Sequence, residues 1–217
     1  MSDYPVNMGA KPDVFPFFDP DTNTISYVVK DPNSRSCAVV DSVMDINYAG
    51  GRITYDHADE IIDFIRKNEL VLEWLIETHV HADHLSAAPY IQDRLGGKIG
   101  IGRNIMIVQE TFGKVFNEGT EFRRDGSQFD RLFDDGDTYR IGELTAFAMH
   151  TPGHTPACMT HVMGDAAFVG DTSFMSVCGC AFATFPGGHA LTSSGCIYSI
   201  LSLPTALRRL VLHHLLP

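Results

Sequence analysis

Thr78-His79-Val80-His81-Ala82-Asp83-His84 places four ionisable side chains within six positions, directly after the apolar run Leu70-Val71-Leu72-Glu73-Trp74-Leu75-Ile76. A run this short and this apolar reads as a strand buried on both faces. Hiding the following cluster at its end would leave several polar groups unpaired and costly unless they shared a ligand. Imidazole and carboxylate together suit zinc, iron or manganese. On an extended segment His79 and His81 point the same way. Asp83 and His84 lie beyond the bend and reach a second position. The stretch reads as a metal site on the rigid platform of a strand end.

The same arrangement recurs downstream. The apolar run at 145–149 leads through Thr151-Pro152-Gly153 to His154, Ala166-Ala167-Phe168-Val169-Gly170 leads to Asp171, and Leu210-Val211-Leu212 leads to His213 and His214. Ligands from separate strands converge only if those strands lie side by side. Of the last two histidines His213 is the expected ligand, and a slip of one residue would turn that strand over. His57, His150, His161 and His189 read as ordinary histidines satisfied by the fold rather than as ligands.

Around these points the chain reads as mixed α/β. Residues 24–30 and 37–41 are expected strands joined at Asp31-Pro32-Asn33 into an N-terminal hairpin. Residues 57–68 predict a helix, because Ala58, Ile61, Ile62 and Ile65 share one face. Asp59 and Glu60 in its first turn and Arg66 and Lys67 in its last complement the helix dipole. Further helices are expected at 86–95 and 104–116, and strands at 70–76, 137–141, 144–149, 158–163, 166–169 and 209–212. Residues 117–136 read as a surface loop. Strands outnumber helices without the regular alternation of a doubly wound fold.

Composition sets outer bounds. The 217 residues, 44% hydrophobic and 20% charged, suit one soluble domain with a substantial core. A net charge of −11 argues against nucleic acid as a partner, although Arg123-Arg124 offers a local spot for a small anion. The N-terminus lacks an apolar stretch behind a basic head, and no run approaches the ~18 apolar residues of a membrane span. A cytoplasmic protein without membrane contact is the expectation. Five scattered cysteines fit reduced thiols, and the spacing of Cys178-Gly179-Cys180 is not that of a zinc finger. A homodimer is compatible with the sequence.

The H-x-H-x-D-H motif at 79–84, followed by His154 and Asp171, resembles the metallo-β-lactamase superfamily from about residue 14 onward. The resemblance implies an αββα four-layer sandwich with the metal site at one edge between two sheets, over a single domain 1–217 shortened at its C-terminus. Within the superfamily, residues 78–88 (THVHADHLSAA), 151–156 (TPGHTP), 170–174 (GDTSF) and 185–188 (FPGG) are most similar to the persulfide dioxygenase branch, which is related to glyoxalase II. That likeness implies one Fe(II) per chain on His79, His154 and Asp171, with oxidation of glutathione persulfide to sulfite. His81, Asp83, His84 and His213 would surround the ion, Asp83 and His84 being the candidate catalytic residues.

The same residues suit a two-ion hydrolase of thioesters, esters or lactones, of the glyoxalase II type. His79, His81 and His154 would hold one ion and Asp83, His84 and His213 the other, with Asp171 bridging two zinc or mixed zinc and iron ions. The segment around FPGG departs from the dioxygenase pattern: Phe182 and Thr184 stand where the branch has Arg and Asp, and His189 where it has Asp. Near the end, Leu212-His213-His214-Leu215 replaces Cys-His-Asp-Tyr. The absent arginine is one expected to hold a glutathione-linked substrate. A metal-binding domain without catalysis is a third reading.

Overall fold

A computed structural model describes residues 4–47, 49–81, 83–119, 121–172 and 190–213, the side chains of 190–195 excepted. The chain begins with β1 (Asp13–Asp19), β2 (Thr24–Lys30), β3 (Ser36–Val40), β4 (Val43–Asn47), β5 (Arg52–Thr54) and α1 (Asp56–Lys67). Then come β6 (Val71–Ile76), β7 (Leu85–Ser86), α2 (Ala88–Leu95), β8 (Lys98–Gly102), α3 (Ile105–Val115) and β9 (Arg131–Phe133). The second half holds β10 (Thr138–Ile141), β11 (Leu144–His150), β12 (Met159–Met163), β13 (Ala166–Phe168), α4 (Ala190–Leu201) and β14 (Arg208–Leu210).

One sheet has the order β1-β2-β3-β6-β8-β9, and the other β10-β11-β12-β13-β14. A small third sheet, β5-β4-β7, flanks the first. Between the two large sheets, Tyr27, Val40 and Ile76 meet Ile141, Met159 and Phe168. The outer face of the first sheet packs Val28, Val39 and Leu75 against Ile61, Ile62 and Ile65 of α1 and Ile91 of α2. On the far side, Phe147 and Val162 pack against Ile200 and Leu203 at the end of α4. Each such side chain contributes roughly 1.5–3 kcal/mol by leaving water. The result is the expected αββα sandwich.

Strand direction brings the candidate ligands to one edge. β11 and β12 are antiparallel, as are β12 and β13, so β11 and β13 run the same way. β14 is parallel to β13. The segments carrying His154, Asp171 and His213 therefore leave the second sheet at a common end. β6 joins that edge from the other sheet, where the Met159 amide donates to the Thr78 carbonyl at 2.8 Å.

Most expected elements lie within two residues of their predicted bounds, and three readings need correction. α1 starts at Asp56, so its first-turn acids are Asp56 and Asp59, and Glu60 falls beyond. β6 is not buried along its whole length: Val71 is 53% exposed, and Glu73 and Trp74 are half-buried. The cause is that the sandwich opens at this end, where the Trp74 indole donates to the Arg140 carbonyl at 2.8 Å. The stretch 117–136 is not all loop, since β9 pairs in parallel with β8. β1 and β8, an edge-adding strand and a central one, were not read from the sequence.

His57, His150 and His161 have ordinary partners: Ser26 Oγ at 3.2 Å, the Pro156 carbonyl at 2.9 Å, and Tyr139 Oη at 3.0 Å. Among the described residues no helix is long and apolar enough to cross a membrane.

His161 is fully buried, and burial pushes its pKa down to about 4, outweighing the opposing effect of Asp41. The fold thus favours the neutral ring, while the unfolded chain takes up a proton near pH 6.5. The stabilisation is complete above that pH and is lost as pH falls from about 6.5 to about 4. Urea unfolding across this window should show an acid-side loss on the order of 3 kcal/mol from this group. His161→Gln should flatten that part of the profile, and an unchanged slope would show that His161 is not its source.

Candidate metal centre

Four strand ends supply the site. His79 and His81 follow β6, His154 follows β11, Asp171 lies in a short 3-10 turn (Gly170–Thr172) after β13, and His213 follows β14. His213 is held by an isolated bridge to Thr24, the first residue of β2. Its Nδ1 lies 3.3 Å from the Asn23 carbonyl.

The side chains gather in two adjoining groups. His79, His154 and Asp171 bring one ligand atom each within 4.8 Å of one another, and so do His81, Asp83 and His84. Asp171 Oδ2 lies 3.7 Å from His79 Nε2 and 3.6 Å from His154 Nε2. Its other oxygen, Oδ1, is 3.5 Å from His213 Nε2, which is in turn 3.3 Å from Asp83 Oδ2. Two donors bound about 2.1 Å from a tetrahedral ion stand roughly 3.4 Å apart, so these separations are those of ligands around a cation.

The buried polar atoms test whether a metal fits. His79 Nε2, His81 Nδ1, His84 Nε2 and Asp171 Oδ1 are all buried without a hydrogen-bond partner. Each such atom costs about 1–3 kcal/mol if left unsatisfied. A divalent cation satisfies imidazole and carboxylate together, and this nitrogen-rich donor set suits zinc or iron. Electrostatics agree. Burial, reinforced by the neighbouring histidines, holds His79 well below the usual histidine range. Burial and His81 push His84 down to about 4. Both rings are then neutral, the form that binds metal. Burial raises the Asp171 pKa despite His213, His154 and His81, so its carboxylate lacks positive charge that a cation would supply.

His81 behaves differently because its Nε2 faces two carboxylates. Asp41 Oδ1 is 3.3 Å away and Glu77 Oε2 3.2 Å away. Burial opposes a charge on His81, but these hydrogen bonds outweigh it and raise the pKa. Asp41 also accepts from the Thr78 amide at 2.8 Å and the Thr78 hydroxyl at 2.9 Å. Neither Asp41 nor Glu77 was singled out from the sequence. The available signal was position: each is an acid directly after an apolar strand, Asp41 after β3 and Glu77 after β6.

All seven expected ligands, His79, His81, Asp83, His84, His154, Asp171 and His213, are thus at one edge. His214, Cys178, Cys180, Phe182, Thr184, residues 185–188 and His189 lie outside the described residues. Arg124 of the Arg123-Arg124 pair is engaged by Glu110 at 3.3 Å.

Over residues 20–201 the chain matches the family described as "Metallo-beta-lactamase superfamily". It is 51% identical over 211 residues to a "Probable metallo-hydrolase" of Burkholderia pseudomallei, covering 93% of this chain and 72% of the relative. It is 42% identical over 208 residues to a "Beta-lactamase hydrolase-like protein" of Agrobacterium fabrum, covering 96% of this chain but 48% of the relative, so the chain spans about half that protein's length. Identity to the human "Persulfide dioxygenase ETHE1, mitochondrial" is 27% over 190 residues, covering 86% of this chain and 62% of the relative. The crystal structure of ETHE1 from Myxococcus xanthus superposes with a TM-score of 0.75 at 22% identity, covering 94% of this chain and 76% of that one. This last likeness is one of fold.

Gly170 shows how closely the two sheets meet at the site. A Cβ there would stand 2.5 Å from Thr78 Oγ1, and the backbone φ of +53° is one that L side chains rarely adopt. Gly170→Ala should cost about 1–3 kcal/mol in urea unfolding and should weaken metal binding by displacing Thr78 and His79. Wild-type stability and metal content in the variant would show that the junction has slack.

Proposed function

The chain belongs to the metallo-beta-lactamase superfamily, and on that premise we propose that it is an iron-dependent persulfide dioxygenase, converting glutathione persulfide to sulfite and glutathione with O2. The carrying observation is that His79 and His154 approach the same oxygen of Asp171, at 3.7 and 3.6 Å. Two imidazoles and one carboxylate on one side of a metal form the facial arrangement of non-haem Fe(II) oxygenases. An Fe(II) ion held by these three residues would supply the redox chemistry. In the balanced reaction the outer persulfide sulfur gives up the electrons that O2 takes, water supplies the remaining oxygen, and protons are released.

The chain's own residues divide the work. His79, His154 and Asp171 hold the ion, and the near-complete burial of His79 and Asp171 keeps bulk water from that side. Asp83 has a side chain 43% exposed and marks the open side, where a thiol-derived substrate enters. Asp83 and His84 are the candidates to orient that substrate and move its protons, and His213 steadies Asp83 at 3.3 Å.

A second reading, a binuclear hydrolase of thioesters, esters or lactones, is favoured by a specific feature. Asp171 turns Oδ2 toward His79 and His154 and Oδ1 toward His213. Such a carboxylate would lie between two ions, one held by His79 and His154 and the other by Asp83, His84 and His213; His81, expected with the first pair, stands instead within 4.8 Å of Asp83 and His84. The printed name of the Burkholderia relative points the same way.

Elemental analysis of protein purified without oxygen and without added metal separates the two. About one iron per chain, with O2 uptake on glutathione persulfide, is expected. About two ions per chain, zinc or mixed, with turnover that needs no oxygen, would make the hydrolase the better reading. His154→Ala should lose nearly all its iron and its O2 uptake, and a variant that keeps both would remove His154 from the ligand set.

A further inference from the structure

Glu77 follows Ile76 at the end of β6 and is buried, with 4% of its surface exposed. A carboxylate hidden this deeply is expensive unless its oxygens have partners. Oε1 accepts from the Ser86 hydroxyl at 2.6 Å, and Oε2 lies 3.2 Å from His81 Nε2. Ser86 Oγ also accepts from the Ala88 amide at 3.1 Å, so the start of α2 is linked through Ser86 and Glu77 to His81.

Asp41 approaches the same ring nitrogen, but its Oδ1 already accepts from the Thr78 amide at 2.8 Å. Glu77 Oε2 is therefore the less committed acceptor for the His81 N–H. A neutral imidazole carries its proton on one nitrogen and a lone pair on the other. Two carboxylates on Nε2 put the proton there and leave the lone pair on Nδ1. That Nδ1 is buried and has no hydrogen-bond partner. The His81 ring stacks on His84 with centroids 4.2 Å apart.

We propose that Glu77 is a positioning residue of the metal centre: acting through His81, it sets how tightly the His81, Asp83 and His84 group holds a divalent cation. The inference rests on the proposed metal centre and requires a second, weaker cation position at the His81, Asp83 and His84 group, beside the three residues proposed to hold iron. A carboxylate behind a coordinating histidine fixes its ring and strengthens it as a donor, and loss of such a partner typically weakens metal binding about 10- to 100-fold.

The test is a zinc titration of the full chain in competition with a chromophoric chelator. The wild type should take up zinc in two steps, and Asp83→Ala should abolish the weaker step and so identify it. Glu77→Ala should weaken that step about 10- to 100-fold and leave the tighter one within about twofold. Glu77→Gln, which keeps contact with Ser86 and His81 without the charge, should fall between. The Co(II) absorption spectrum of the weaker position should shift in Glu77→Ala, a change that a purely structural role would not produce. Uptake of a single zinc ion, a weaker step equal to wild type in Glu77→Ala, or equal weakening of both steps overturns the proposal. Should Glu77→Ala fail to fold, Glu77→Gln and Ser86→Ala carry the test, and wild-type binding in both overturns it. O2 uptake enters none of these readouts, so failure of the dioxygenase reading would leave them standing and be seen separately.

Discussion

The grip of Asp41 on the turn after β6 is the constraint on which the rest of the site depends. Asp41 sits at the end of β3 with φ of 51°, a conformation that costs a non-glycine residue on the order of 1–3 kcal/mol. Its carboxylate offsets that cost by accepting from both the amide and the hydroxyl of Thr78. β3 and β6 are adjacent parallel strands, so this contact joins two neighbouring strand ends at the point where the chain leaves the sheet. His79 and His81 then emerge from a backbone that is already fixed. The Thr78 carbonyl, bonded to the Met159 amide, extends the same restraint across to the second sheet.

The site is also a problem of charge. Asp41, Glu77 and Asp171 are buried acids, and His79, His81 and His84 are crowded imidazoles around them. Among these three imidazoles, only His81 is drawn toward the charged form, by the two carboxylates on its Nε2. His79 and His84 are driven to neutrality. Such a division leaves ligand nitrogens with free lone pairs beside Asp171, whose pKa burial raises. A metal cation is the simplest group that supplies the positive charge and occupies those lone pairs together.

The small β5-β4-β7 sheet has a supporting part. β7 is only Leu85–Ser86, yet it pairs with β4 directly after the ligand motif and sets Ser86 against Glu77. α2 begins two residues later, so the ligand-bearing turn is held at its start by Asp41 and at its end by Ser86. Rigidity at both ends is what a metal site needs for its ligands to converge within a few tenths of an ångström.

Much of this was legible in the chain itself. The periodicity of Ala58, Ile61, Ile62 and Ile65 located α1, and the ionisable cluster at 79–84 after an apolar run pointed to the candidate metal centre. Local chemistry is enough for such readings, because helical repeat, strand apolarity and ligand type are properties of neighbouring residues. β8 escaped, since a glycine-containing strand gains its state from pairing with β6 and β9, which are distant from it in sequence. The ligand types and their order along the chain were thus determined by the sequence alone. That His79 and His154 meet one oxygen of Asp171, and that Asp41 and Glu77 share one nitrogen of His81, was decided by tertiary structure. Apart from the local Glu77–His81 pair, these contacts join residues well separated along the chain, and only the direction and register of packed strands bring them within a few ångströms.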